Sequence, residues 1–191
     1  LFDAAAHDKI FPAIFLCGVM GLRRSEIAGL KWDAVSFNDN TIQIRRKAIR
    51  DRSSRKDVVS TSLKTQSSYR TLVMPEPVRS FLLKLRAQHR NSDFILVDEK
   101  GQRISLNTVT NRFRALLQRE GLPKIRFHDL RHSCATILLN EGVDLKEIQD
   151  WLGHSNVNTT ANLYLHTDMK SKRKLAERLG QVISEKDDET S

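Results

Sequence analysis

Aromatic residues are scarce, at 6% of the 191 residues, and none forms a series on which successive bases could stack. That argues against a single-strand nucleic-acid binder built on stacking platforms. Cysteine is scarcer still: Cys17 and Cys134 are the only two, and both fall in apolar, helix-like patterns. Two thiols so placed read as small core residues in a reducing compartment, not as a disulfide framework or a metal site. No apolar run approaches the roughly 20 residues that span a bilayer. The opening Leu1-Phe2-Asp3-Ala4 has neither an initiator methionine nor the basic stretch of a signal peptide. We read it as a piece of a longer protein. Internal repeats are absent.

What the chain does have is positive charge. Thirty-two Lys and Arg against 23 Asp and Glu give a formal charge of +9, which draws a protein toward polyanions, nucleic acid foremost. Seven of the twelve residues from Arg45 to Lys56 are basic; on charge alone this is equally a solvated loop. With 39% apolar residues the chain has the composition of a globular domain, and its length suits one domain with a full core.

Taken in order, Ile10, Phe11, Ile14, Phe15 and Val19 recur at helical spacing, with Asp8 as a possible N-cap and Pro12 harmless in the first turn. That helix should end near Gly18 or Gly21. Ser25 is placed to cap a short second helix, with Arg23 at the junction between the two. Thr41 to Ile44, Asp57 to Ser60 and Arg70 to Met74 read as short strands of one small antiparallel sheet. A polar turn carrying Lys64 separates the last two. Val78, Phe81, Leu82 and Leu85 give a third helix, Phe94 to Val97 a brief extended run, and Leu106 to Leu117 a fourth helix with Ser105 before it and Gly121 after it. His128 and Arg131 open a fifth helix that ends at Gly142; three residues apart, they share a face. Asp144 and Glu147 resemble a capping box for a helix that stops at Gly153, and His154 follows at once. A last amphipathic helix, about 169–183, sets Leu175, Leu179, Val182 and Ile183 opposite several basic residues. Residues 184–191 are a polar, acidic tail expected to be disordered. The fold is therefore mainly α with a small antiparallel β-sheet (α+β).

An imidazole beside a guanidinium can move a proton and hold an oxyanion, yet His128 and Arg131 alone are equally a surface pair. Other segments supply their partners. Gly21-Leu22-Arg23-x-Ser25-Glu26, Lys64-Thr65-x-Ser67-Ser68-x-Arg70, His128-x-Leu130-Arg131-His132, Leu152-Gly153-His154-Ser155 and Tyr164 stand in one order along the chain. In that order and spacing they resemble the catalytic domain of the tyrosine recombinases, the phage-integrase family. The resemblance runs from about Leu1 to Arg178. The Leu152 to Thr160 run and the Tyr164-x-His166 ending look most like integrases of phages and conjugative transposons.

The resemblance implies a chemistry that the residue types can be checked against. Tyr164 would attack a phosphodiester of duplex DNA, leaving a 3′-phosphotyrosyl link and a free 5′-hydroxyl. A phenol of pKa ~10 is only about one part in a thousand ionised at neutral pH, so the site must help remove its proton. Arg23 and Arg131 would hold the non-bridging oxygens through charge-assisted, forked hydrogen bonds that lysine cannot copy. Lys64 would be the general acid for the leaving oxygen, His128 would assist proton transfer or bind the phosphate, and His154 would add a hydrogen bond. Two arginines supply the charge that a metal supplies in many nucleases, so neither metal nor other cofactor is expected, and the covalent link makes ATP unnecessary.

Glu26, Asp129 and His132 are assigned to orienting neighbours. Arg45, Arg46, Lys47, Thr65 and Arg70 are assigned to the DNA backbone. The implied partners are double-stranded DNA and other copies of the chain in a DNA-bound tetramer, joined through the C-terminal helix, with no membrane, in the bacterial cytoplasm at the nucleoid. A helical domain is expected upstream. The competing readings are a type IB topoisomerase, with the same chemistry and no strand exchange, and an inactive DNA-binding module. The complete Arg23, Lys64, His128, Arg131, His154 and Tyr164 set disfavours the latter.

Overall fold

The computed structural model describes residues 1–51, 53–54, 56–61, 69–89 and 92–153. Its centre is a helix, α2 (Phe11–Met20), apolar nearly all round and buried at Pro12, Ala13, Ile14, Leu16, Cys17 and Met20, as suits a helix packed on several sides. Ahead of it α1 (Phe2–Ala5) lays Phe2 edge-on against Phe11 and Phe15. The N-cap of α2 is Ile10, not Asp8; the Asp8 carboxylate accepts the Ile10 N–H two residues earlier. At its other end Gly21 adopts a φ of 66°, and a Cβ there would come within 2.3 Å of the Leu152 side chain. Conformation and space both require glycine.

The chain turns directly into α3 (Arg24–Gly29), whose N-cap is Arg23 and not Ser25. The reason is Glu26: its carboxylate accepts the Arg23 backbone N–H at 2.8 Å, doing from the third helical position what a cap side chain does from the first.

Among the described residues the strands form two small sheets where a single one was expected. Strands β1 (Val35–Ser36), β2 (Thr41–Ile44) and β5 (Arg70–Val73) form an antiparallel sheet in the order β1-β2-β5. Ile42 and Ile44 of β2 and Leu72 of β5 face the core. A separate hairpin pairs β3 (Lys47–Arg50) with β4 (Asp57–Ser60). Here the first part of the basic stretch, Lys47–Arg50, is a strand, held because Ala48 packs against Ala28 of α3 and Leu106.

Helices α4 (Glu76–Gln88) and α5 (Leu106–Arg119) bury Val78, Leu82 and Leu85, and Val109, Phe113, Leu116 and Leu117. Ser105 caps α5 as expected, accepting the Thr108 N–H. The run from Phe94 to Val97 makes only isolated bridges, to Lys31 and Arg103. Last come α6 (Asp129–Asn140) and α7 (Leu145–Leu152), packed through Ala135, Ile148 and Leu152. Asp144 caps α7 through the Lys146 N–H, and Gly153 ends it in a left-handed turn. The α2–α6 interface is closed by two buried thiols: Cys17 donates toward the Phe127 carbonyl and Cys134 toward that of Val19. Burial pushes the Cys17 pKa up to about 12 and raises that of Cys134, so both are inert packing groups. Among the described residues no helix is long and apolar enough to cross a membrane.

Candidate active site

Helices α2 and α7 end side by side. The C-terminal carbonyls of a helix have no intrahelical donor and carry the negative end of its dipole, and here long side chains from other elements satisfy them. The Trp151 indole donates to the Met20 carbonyl at 3.1 Å. Arg131 bridges the two helix ends, donating from Nη1 to Gly21 O at 2.5 Å and from Nη2 to Leu152 O at 2.7 Å. Arg23 donates from Nη2 to Gly153 O at 2.6 Å, and Arg70 from Nε to Trp151 O at 2.8 Å. Three successive carbonyls of α7 thus each hold one guanidinium.

Glu26 lies among these arginines. Its Oε1 accepts from Arg23 Nη1 at 2.7 Å and Arg70 Nη1 at 3.0 Å, and its Oε2 from Arg70 Nη2 at 3.0 Å and the Arg23 backbone at 2.8 Å. Four donors fill the lone-pair sites of one carboxylate. Burial works to raise the Glu26 pKa, but the hydrogen bonds and charge of Arg70, then the charge of Arg23, outweigh it and hold the carboxyl below its ordinary 4.5. Glu26 is an anion at neutral pH.

Arg131 is 1% exposed. Burial first, then the nearby charge of Arg23, presses its pKa down to about 9, which leaves it cationic at neutral pH. Among the described residues its Nε is buried without a partner. His128 stands just before α6 as its N-cap residue, on the exposed side, so it shares the mouth of the helix with Arg131 without being inside it. Its ring meets that of His132 edge-on, centroids 4.8 Å apart. Burial, then the charges of His132, Arg131 and Arg23, push its pKa below 6.5, so at neutral pH it is a neutral imidazole able to accept or donate one hydrogen bond. Three arginines against one carboxylate leave the cluster cationic, with an unpaired donor in a desolvated place. Such an arrangement is built to hold an oxyanion.

The structure therefore brings Arg23, His128 and Arg131 together. Lys64, Thr65, His154 and Tyr164, together with the helix read at 169–183 and the tail at 184–191, lie outside the described residues. Arg45, Arg46 and Lys47 lie at and just before β3. Arg46 forks onto the Asp33 carboxylate at 2.6 and 2.8 Å, and Arg45 reaches the Asp33 carbonyl at 2.8 Å. Arg70 takes an inner position on β5. Assigned to the DNA backbone, its side chain is 7% exposed and its fork is spent on Glu26. Strand parity could have shown this: Arg70 and Leu72 are two apart on β5 and point to the same, inner side, whereas Thr71 and Val73 are exposed. The role of the α7 carbonyls and of Trp151 carried no signal in the sequence, because a backbone acceptor has no residue type. A cleft of about 400 Å³ lined by Lys31, Trp32, Asp33, Arg86 and His89 shares no residue with the arginine cluster.

Comparison with known proteins agrees with this geometry. The chain belongs to the phage integrase family, whose model matches residues 3–171. Among curated relatives it is 30% identical over 205 residues to a tyrosine recombinase XerC-like protein of Caldanaerobacter subterraneus subsp. tengcongensis, covering 95% of this chain and 51% of that one. It is 35% identical over 159 residues to tyrosine recombinase XerC of Chlamydia caviae, covering 82% and 46%. The chain thus spans about half the length of the curated relatives it matches. Among solved structures, the Tn1549 transposon integrase in complex with transposon right end DNA superposes with a TM-score of 0.81 at 26% identity, covering 94% of this chain and 62% of that one. The XerA recombinase shares the fold, with a TM-score of 0.70 at 23% identity, over 93% and 59%.

Proposed function

We propose that this chain is the catalytic domain of a site-specific recombinase that cuts and rejoins duplex DNA for the integration or excision of a mobile element. The observation that carries the reading is the convergence of Arg23, Arg131 and neutral His128 near the ends of α2 and α7, with the Arg131 Nε donor lacking a partner among the described residues. Support for the mobile-element role comes from the likeness to a transposon integrase bound to its transposon end.

In this mechanism the Tyr164 oxygen attacks the phosphorus while its proton passes to a basic group, for which His128 is the described candidate. Arg23 and Arg131 hold the two non-bridging oxygens and stabilise the charge of the pentacoordinate transition state. The bond to the 5′-oxygen breaks, Lys64 protonates that oxygen, and His154 adds a hydrogen bond to the phosphate. Attack by a 5′-hydroxyl from another duplex reverses the steps and releases Tyr164. Neither metal nor ATP enters the balance. Copies of the chain assemble as a tetramer on two duplexes through the segment at 169–183, in the bacterial cytoplasm at the nucleoid.

The test is a suicide substrate, a pool of nicked random-sequence duplexes that traps a covalent adduct resistant to denaturant. Tyr164→Phe should abolish the adduct and leave DNA binding intact, and EDTA should change neither. An adduct that survives the substitution, or activity lost on chelation, would sink the reading. Relaxation of supercoiled plasmid without strand exchange would make the enzyme a type IB topoisomerase instead.

A further inference from the structure

Every residue assigned to the reaction so far touches phosphate or moves a proton, whereas Arg70 does neither. It forks onto Glu26 with both Nη atoms at 3.0 Å and ties its Nε to Trp151 O, and the two side chains are 7% and 4% exposed. Glu26 in turn holds Arg23 by its backbone N–H and by Nη1. Arg23 is thus suspended between two anchors, the Glu26 carboxylate and Gly153 O. Arg70 touches the first directly and the helix end that carries the second, two residues earlier on α7.

We infer that Arg70 is a positioning residue: it fixes the Glu26 carboxylate in place, and through Glu26 and the end of α7 it sets where the Arg23 guanidinium stands. The catalytic consequence rests on the recombinase reading; the positioning itself does not. Other charges face Glu26 from each packed element, Arg23 on α3, Arg131 on α6 and the Cys17 thiol on α2. None of the others adds a second fork. Arg131 is committed to Gly21 O and Leu152 O, and the Cys17 thiol, its pKa raised to about 12, is uncharged at neutral pH. Without Arg70, the burial of Glu26 is opposed chiefly by Arg23, so the carboxyl would take up a proton at higher pH and give Arg23 a neutral partner.

The decisive measurement needs no DNA. Carbon-13 NMR of the full chain labelled at glutamate Cδ should show the Glu26 titration midpoint rising in Arg70→Lys and rising further in Arg70→Met. The Arg23 Nε–H resonance should shift and broaden in both. Arg70→Lys keeps the charge and loses the fork, which makes it the variant expected to fold normally. Should Arg70→Met unfold, the double change Arg70→Met with Glu26→Gln removes the unpaired buried charge and restores a neutral pair. In that protein the Arg23 resonance should still be displaced. A Glu26 midpoint and an Arg23 signal unchanged in Arg70→Lys overturn the inference.

A second arm reads function. With the random-sequence suicide pool, Arg70→Lys should slow adduct formation by about tenfold, leave affinity for intact duplex within about twofold, and move the acid limb of the pH–rate profile upward. A purely structural role would lower the melting temperature and leave that limb where it was, which counts against the inference. If the wild-type chain forms no adduct at all, the recombinase reading falls alone, because the NMR arm stands without it.

Discussion

Two arginine-rich regions lie on this chain, and they use the same side chain differently. At the ends of α2 and α7, Arg23, Arg70 and Arg131 are partly or wholly buried, and their donors are assigned to named carbonyls and to Glu26. Around the β3–β4 hairpin, Arg45, Arg46 and Arg50 reach exposed or edge positions and pair with Asp33 and Asp57. Where water is excluded an arginine works by its geometry, since each N–H must find an acceptor. Where water is present it works by its charge, and its partner is exchangeable. The first region reads as a fixed site, the second as a surface held by charge pairs.

The sharpest way to break that contrast is at Arg131. Arg131→Met leaves Gly21 O and Leu152 O without donors, each a loss of about 1–3 kcal/mol, partly offset by relief of repulsion from Arg23. The expected net loss is about 2–4 kcal/mol in urea denaturation. Arg131→Lys keeps the charge but cannot reach both carbonyls, and adduct formation should fall by about 100-fold or more. A stability loss below about 1 kcal/mol, typical of exposed pairs, would show that the buried region is no different from the surface one.

The two regions meet at Gly29. The last residue of α3, it lies so close to β3 that a Cβ would stand 2.7 and 2.8 Å from backbone atoms of Lys47 and Ala48. Backbone cannot rotate away as a side chain can. Gly29→Ala should therefore cost about 1–3 kcal/mol, seen as a drop in melting temperature of about 3–10 °C. An unchanged melting curve would mean that the hairpin moves independently of the helix that Arg23 caps.

How far the sequence revealed these regions follows from which forces each depends on. Helices α2, α4, α5, α6 and α7 were visible because apolar periodicity and their glycine ends are local signals, and the strands β2, β4 and β5 because alternation is. Strand β3 was not. It has one buried side chain, Ala48, among charged neighbours, and its pairing is set by contact with α3 and not by its own pattern. Arg23, His128 and Arg131 were legible as a set only through the order of five motifs; no local feature of any one of them points to the others. Arg70 shows most plainly what the sequence could not convey. A basic residue in a basic protein invites a DNA contact, and what overrides it is a carboxylate 44 positions earlier that only the fold brings alongside.

His128 allows a finer test, because it titrates near neutrality. Its pKa in the folded chain lies below the ordinary 6.5, chiefly from burial. As pH falls the unfolded chain therefore takes up that proton first. Stability from this group is complete above about 6.5 and is lost as pH falls through the lower folded value. Urea denaturation between pH 5 and pH 8 should show stability declining on the acid side in the wild type, with a shallower decline in His128→Gln. An identical slope in both would assign the acid sensitivity elsewhere.

The smallest effect is expected on the surface. Arg46 forks onto Asp33, whose carboxyl it holds below the ordinary 3.8, but the Asp33 side chain is half exposed, so Arg46→Ala should change stability by less than about 1 kcal/mol. If that arginine exchanges Asp33 for a DNA phosphate, the substitution should weaken binding to any duplex alike and reduce the slope of log affinity against log salt by about one. Asp33→Asn, which removes the carboxylate charge facing both Arg45 and Arg46, should raise affinity at low salt, and the gain should vanish as salt increases. A substitution at Arg46 that changes stability but not the salt slope would make the Asp33 pair structural, and the distinction between the two arginine regions would then rest on burial alone and not on what each one holds.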